Sequence, residues 1–465
     1  MGRDLDKERF TEAEYARFGE RIQEQLTVLR ELLDTPGFGQ GATTVGAELE
    51  LFLIDGRGRP LPRNSQVRDT LDDPRVVLEL GRFNIEVNLT PVPLAGRPFE
   101  VLSGEVQEAI TMVDAAVEDG GALPIGILPT LDAEDFTVGA MSDQNRYRAM
   151  SRGIRRLRLE PFLVKIEDLE LAVEDVILES ANTSWQVHIR TPPERFARLF
   201  NAAQIAIGPV LAACGNSPFF LGRRLWEETR IALMEEAVDD RDVERRYRRE
   251  GRVAFGSDWV REGAYELFER YVRDYDPVVP NLTDDAEPHE VPELRLHQGT
   301  IWQWNRPVYD PADGGHLRVE MRALPAGPSC ADMAANTAFL LGLAMSQAER
   351  DLTGYRFAQA YQNFYRAARD GLDAKLSWPG RDGEFMAAEL VLSLLPEARD
   401  GLLAAGVAPG DADRALEVVA QRTRTRRTGS AWQREALARF DGDRERLVRR
   451  YRELALSGTP VHLWP

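Results

Sequence analysis

A chain of 465 residues, 43% hydrophobic and 29% charged, can bury a substantial core as one large domain or two to three smaller ones. Its net charge of −18 argues against a nucleic-acid partner, which selects a basic surface. No run of about 18 apolar residues predicts a membrane span, the N-terminus lacks a signal core, and Cys214 and Cys330, outside any CxxC pattern, predict a reduced, cytoplasmic protein without a disulfide framework.

The spacing of Phe10, Tyr15, Phe18, Ile22, Leu26, Leu29 and Leu33 predicts an amphipathic helix over 8–34. A Gly-rich break at 36–41 leads into a strand over 45–54, which ends in a hairpin-type turn at 55–60. A second strand, 83–89, stops at Pro91, and a helix over 99–117 and a strand over 122–128 follow. Residues 146–158 read as a helix with six arginines, 181–190 as a strand, and 193–213 as a helix. Residues 276–292, rich in Pro and Asp, read as a long loop between a helix over 260–275 and a strand over 317–324. Helical patterns then occupy 331–365 and 385–455. Strands joined by hairpins and irregular segments predict an α+β fold, an antiparallel sheet with helices packed on one side, over a parallel doubly wound sheet.

Three of these strands carry carboxylates two residues from another polar group, and such pairs share a strand face. They are Glu48 with Glu50, Glu86 with Asn88, and Glu320 with Arg322. Around the first pair, Val45, Leu49, Leu51 and Leu53 form the opposite face while Phe52 and Ile54 follow on the glutamate side, so the strand reads as buried. A buried carboxylate must pair with a cation or bind metal. Several converging on one sheet would suit hard divalent ions such as Mg²⁺ holding a nucleotide's phosphates. Glu79, seven residues before Glu86, could join them. Glu320 and Arg322 read equally as an internal ion pair or as a metal ligand beside a phosphate clamp. Gln186 and His188 share a face with Ser184 and could touch metal or substrate. Residues 297–307, mixing Trp302, Trp304 and Arg306 with amides, could line a small-molecule site or cap the core. No P-loop, strand-borne GxGxxG, GxSxG or HExxH occurs, so the usual NTPase, dinucleotide, serine-hydrolase and zincin chemistries have no support.

Taken in order, Val45-Gly-Ala-Glu48-Leu-Glu50, Ile85-Glu86-Val-Asn88-Leu-Thr-Pro, Met141 to Arg146-Tyr147, Thr183-Ser-Trp-Gln186-Val-His188, Gly215-Asn216-Ser217-Pro218, Glu228-Thr-Arg230 and Val319-Glu320-Met-Arg322 resemble the glutamate–cysteine ligase family over about residues 43–345. The resemblance implies a glutamine-synthetase-like antiparallel funnel in a catalytic part over 1–345, with a helical region over 346–465 packed on it. It implies an ATP- and Mg²⁺-dependent carboxylate–amine ligase, making γ-glutamylcysteine from glutamate and cysteine. A ligase for a different amine, a guanidino kinase and a non-catalytic binding relative are the alternatives. By the same resemblance Glu48, Glu50, Glu86 and Glu320 would hold Mg²⁺, and Gln186 or His188 would complete the metal or phosphate shell. Arg322 would face the transferred phosphoryl group. Arg230 would receive the amino-acid carboxylate, with Arg146, Tyr147 and Asn216 near the same pocket. The partners implied are small molecules, amino acids and ATP, with neither nucleic acid nor membrane; a homodimer is suggested only as the common state of soluble enzymes, and the sequence itself does not set the oligomeric state. Position 47, acidic in many members, is Ala here.

Overall fold

Apolar residues on both faces of a twelve-residue strand set the centre of this fold, because a strand of that pattern must be covered on both sides. The computed structural model describes residues 5–158, 160–352 and 354–465. Helix α1 (Glu12–Leu33), closed by a Thr11–Glu14 capping box, precedes that central strand, β1 (Thr44–Asp55). Next come α2 (Asn64–Leu71), β2 (Val76–Leu78), β3 (Asn84–Asn88), β4 (Val92–Pro93), α3 (Pro98–Ala115) and β5 (Gly120–Leu123). Helix α4 (Asn145–Leu157) leads to a hairpin of β6 (Phe162–Ile166) and β7 (Leu169–Val173), then to β8 (Trp185–Thr191) and α5 (Pro193–Cys214). A short ribbon, β9 (Phe219–Phe220) and β10 (Arg223–Arg224), precedes α6 (Thr229–Ala237), α7 (Val243–Arg248), α8 (Ala264–Asp274) and α9 (Pro292–Gln298). The last strands of the main sheet are β11 (Asn305–Asp310) and β12 (His316–Met321). Among the described residues six α-helices follow: α10 (Cys330–Ala348), α11 (Phe357–Asp370), α12 (Ala387–Ala404), α13 (Pro409–Arg424), α14 (Gly429–Arg439) and α15 (Arg444–Leu456).

The main sheet runs β11-β12-β8-β1-β3-β2, with β4 and β5 also paired to β1, and every pairing in it is antiparallel. Its apolar face, carrying Leu49, Leu51 and Trp185, is covered by α3, α5 and α10, and Trp185 Nε1 donates to Thr337 of α10 at 2.8 Å. The opposite face carries the acidic residues. The α+β class and the antiparallel sheet stand as expected.

Several sequence expectations change. The helical stretch 331–365 divides into α10 and α11, and 122–128 stays extended as a strand only to Leu123. The turn at 55–60 makes a single bridge, Ile54 to Pro60, before the chain enters α2. The hairpin β6–β7 and strand β11 had no clear sequence signal, the second because Pro307 interrupts it. Among the described residues one helix, α5, is long and apolar enough to cross a membrane by length and composition, against the reading that no such segment exists; 83% of that stretch is buried inside the fold. The expected boundary at 345/346 falls within α10, and one continuous core runs from Phe18 to Trp464. The C-terminal helices join that core through buried polar ties as well. Arg422 Nη1 lies 3.0 Å from Asp332 Oδ1, both side chains almost fully enclosed.

Candidate active site

Register alone brings the acidic strands together. Glu48 stands opposite Asn88 on β3 and Gln186 on β8, and Glu50 stands opposite Glu86. On the other side of β8, His188 stands opposite Glu320, which stands opposite Arg306 of β11. Because side chains alternate, all of these project from one face.

Two subclusters result. In the first, one ligand atom each from Glu48, His188 and Glu320 lie within 4.8 Å of one another. His188 Nε2 is 3.2 Å from Glu48 Oε1 and 3.7 Å from Glu320 Oε1, and neither of its ring nitrogens makes a hydrogen bond. Arg306 grips Glu320 through Nε and through Nη2, the latter 3.0 Å from Oε1, and Arg322 Nη1 donates to the same oxygen at 3.0 Å. Burial opposes ionisation of Glu320, yet Arg306, Arg322 and His188 outweigh it and hold the carboxyl far below the usual range. Burial likewise opposes ionisation of Glu48, and His188 overcomes it.

The second subcluster behaves oppositely. Burial, reinforced by Glu48, Glu79 and Glu50, pushes the Glu86 carboxyl well up. Glu79 is pushed up to about 7 by burial and by Glu50, with Arg146 opposing. Glu179, which no motif singled out, is raised by burial and by Glu79 and Glu50. Burial also raises Glu50, which accepts from the Ser184 amide and from Gln186 Nε2, each at 2.7 Å. Gln186 Oε1 in turn accepts from Arg322 Nη1, so this amide spans Glu50 and Arg322. Asn88 Nδ2 donates to Glu86 Oε1 at 2.8 Å. Carboxylates so confined are held apart from proton and cation only at a cost, the situation a divalent ion relieves.

The expected substrate residues separate in space. Arg146 and Tyr147, at the start of α4, dock on the end of β2: Arg146 Nη2 donates to Leu78 O at 2.6 Å, and its guanidinium lies 4.4 Å over the Tyr147 ring. They border Glu79. Arg230 of α6 is 2% exposed; its guanidinium meets Glu228 Oε1 at 3.1 Å and the backbone carbonyls of Arg322 and Ala323, and lies 5.4 Å over Trp304. It therefore fastens the end of β12 behind Arg322. Asn216 is a correction to the expected pocket. It is fully buried, and its amide is occupied by Ala326 O at 2.7 Å, Tyr451 Oη at 2.8 Å and Gln433 Nε2 at 2.9 Å. Its backbone amide donates to Glu228 Oε2 at 2.7 Å. A side chain with every polar atom taken inside the core ties elements together and cannot meet a substrate.

Arg306, like Glu179, is a site residue whose role sequence reasoning missed. It lay within the aromatic and amide-rich stretch 297–307, and only the pairing of β11 with β12 reveals its partner.

Comparison with known proteins identifies the family and a similar fold. Residues 44–453 match the family described as glutamate-cysteine ligase family 2. The fold is similar to that of a glutamate–cysteine ligase from Francisella tularensis in complex with AMP, at 15% identity and a TM-score of 0.57 over 90% of each chain. A bifunctional glutathione synthetase from Pasteurella multocida aligns at 12% identity and a TM-score of 0.48, over 96% of this chain and 56% of its own. No curated protein matches the sequence.

Proposed function

The chain belongs to glutamate-cysteine ligase family 2 and is a carboxylate–amine ligase, and we propose that it uses ATP and Mg²⁺ to convert the side-chain carboxylate of glutamate to an acyl phosphate and joins it to the amine of cysteine. The observation that carries this reading is the convergence of Glu48, His188 and Glu320 beside Arg322, with His188 Nε2 3.2 Å from Glu48 Oε1. That donor set fits a divalent cation. Glu48, His188 and Glu320 would hold one ion, and Glu50 and Glu86 another. Bound there, Mg²⁺ would neutralise charge on the phosphoryl group being transferred.

The protein's own groups do the rest. Arg306 aims the Glu320 carboxylate, and Gln186 fixes Glu50 and Arg322 relative to each other. Arg322 offers a planar fork to phosphoryl oxygens, where charge develops. Arg230 acts as a positioning residue, holding the carbonyls behind Arg322 in place of receiving a substrate carboxylate. Arg146, bordering Glu79, is the group suited to meet the amino acid, and Tyr147, whose hydroxyl is taken by Leu78 O, supports it from beneath. An acyl phosphate needs no protein nucleophile, since the amine displaces phosphate directly. The AMP complex of the Francisella enzyme supports a nucleotide in this fold, and a glutamine-synthetase-like funnel is the architecture proposed for the curled sheet.

Release of phosphate from ATP, measured across pairs of amino acids, tests the reading. Turnover is expected with glutamate plus cysteine. Turnover only with other pairs would replace the substrates and keep the ligase chemistry, whereas ATP consumption with no pair would overturn the proposal.

A further inference from the structure

The surface between α14 and α15 carries a cavity of about 330 Å³ lined by Arg439, Arg446, Arg449 and Arg450, by one acidic residue, Glu453, and by Trp432, Phe440 and Pro465. It lies on the helical side of the molecule, since α15 packs against α3 and β5, away from the acidic sheet face. Arg446, Arg449 and Arg450 fall three and four residues apart, so one face of α15 presents all three, and Arg439 meets them from the end of α14. Two of the four are neutralised: Arg450 Nη1 is 2.8 Å from Glu453, and Arg449 donates to Arg57 O at 3.1 Å with Glu445 at 3.9 Å. Among the described residues Arg439 and Arg446 have no carboxylate partner, and Arg446 is stacked 4.4 Å over Phe440, which holds its guanidinium out. In a protein of net charge −18, uncompensated guanidinium groups gathered in a concavity are an anomaly.

We propose that this cavity binds a small molecule carrying two or more phosphate groups. Guanidinium forks match phosphate oxygens two at a time, the volume suits a small molecule over a flat macromolecular surface, and the two guanidinium groups without a carboxylate partner exceed what one monoanion would neutralise. Binding there weakens with ionic strength, because the arginines are solvent-exposed.

Isothermal titration of the full chain with inorganic pyrophosphate in EDTA, which keeps Mg²⁺ from carrying the probe to the sheet site, tests the proposal. The parent is expected to bind in the micromolar to low millimolar range. The Arg439→Ala/Arg446→Ala variant should bind at least tenfold more weakly, and Arg322→Ala should bind as the parent does. Circular dichroism melting of the double variant checks that it is folded. Parental affinity in the folded double variant, loss of binding in Arg322→Ala, or no binding by the parent would each overturn the assignment. An Arg446→Glu variant that melts as the parent does and still binds pyrophosphate would do the same.

Discussion

Arg306 and Glu320 face each other across β11 and β12, and the Arg306 guanidinium reaches both oxygens of the Glu320 carboxylate, with Nη2 3.0 Å from Oε1. The carboxylate expected to bind metal is therefore aimed from behind by a neighbouring strand. Groups that orient a ligand in this way are worth about 10–100-fold in metal affinity. Arg306→Ala is expected to raise the Mg²⁺ concentration for half-maximal phosphate release by that factor while leaving the substrate KM values near their parental level. An unchanged Mg²⁺ requirement would show that Glu320 is aimed by Arg322 alone.

Glu86 stands opposite Glu50 and within the influence of Glu48 and Glu79, an arrangement of like charges that a cation relieves. A ligand bound only by the folded chain raises its melting temperature by mass action. Mg²⁺ is expected to raise the melting temperature, and Glu86→Gln to shrink that increment while stabilising the metal-free protein. Glu50→Gln and Glu320→Gln should lower turnover by at least about 10²-fold without unfolding the chain. A fully active variant would remove that residue from the metal set.

Asn216 makes four hydrogen bonds through its side chain and backbone amide inside the core. Leaving Tyr451, Gln433 and Ala326 without it costs about 2–3 kcal/mol. Asn216→Ala should lower the midpoint of urea unfolding accordingly and leave the KM for both amino acids unchanged at low temperature. A KM effect with parental stability would restore Asn216 to the substrate pocket.

Glu235 accepts hydrogen bonds from Trp304 Nε1 at 2.8 Å and Tyr365 Oη at 2.7 Å, yet burial dominates and pushes its carboxyl up to about 7. A carboxyl whose pKa is higher folded than unfolded holds its proton more tightly in the native state. The stability it contributes is present below about pH 4.5 and is lost as pH rises through 7. Glu235→Gln, which keeps a hydrogen-bonding amide, should flatten the fall in stability between pH 5 and 8 by on the order of 2 kcal/mol, followed by urea titration at each pH. A parental slope would show that Glu235 is ionised throughout.

The acidic face was legible because a strand's two-residue period is strict: Glu48 and Glu50, Glu86 and Asn88, and Glu320 and Arg322 had to share faces, and the pairing of β1 with β3 and β8 merely joined them. What stayed hidden depended on pairing between distant segments. Arg306 follows a stretch without alternation and sits beside Pro307, so nothing local marked its strand. Asn216 and Arg230 were placed at the substrate only by the family resemblance of their motifs, which carries no information on their partners in the fold. Their partners, Tyr451, Gln433 and the carbonyls of Arg322 and Ala323, lie about a hundred or more residues away in the chain. The split of 331–365 into α10 and α11 was hidden for a different reason, since both halves have the periodicity of a helix.

Tyr451 of α15 touches Asn216, Asn216 touches Glu228, Glu228 holds Arg230, and Arg230 clasps the backbone behind Arg322. A substitution in α15 therefore perturbs the backbone that carries Arg322 without touching the acidic face.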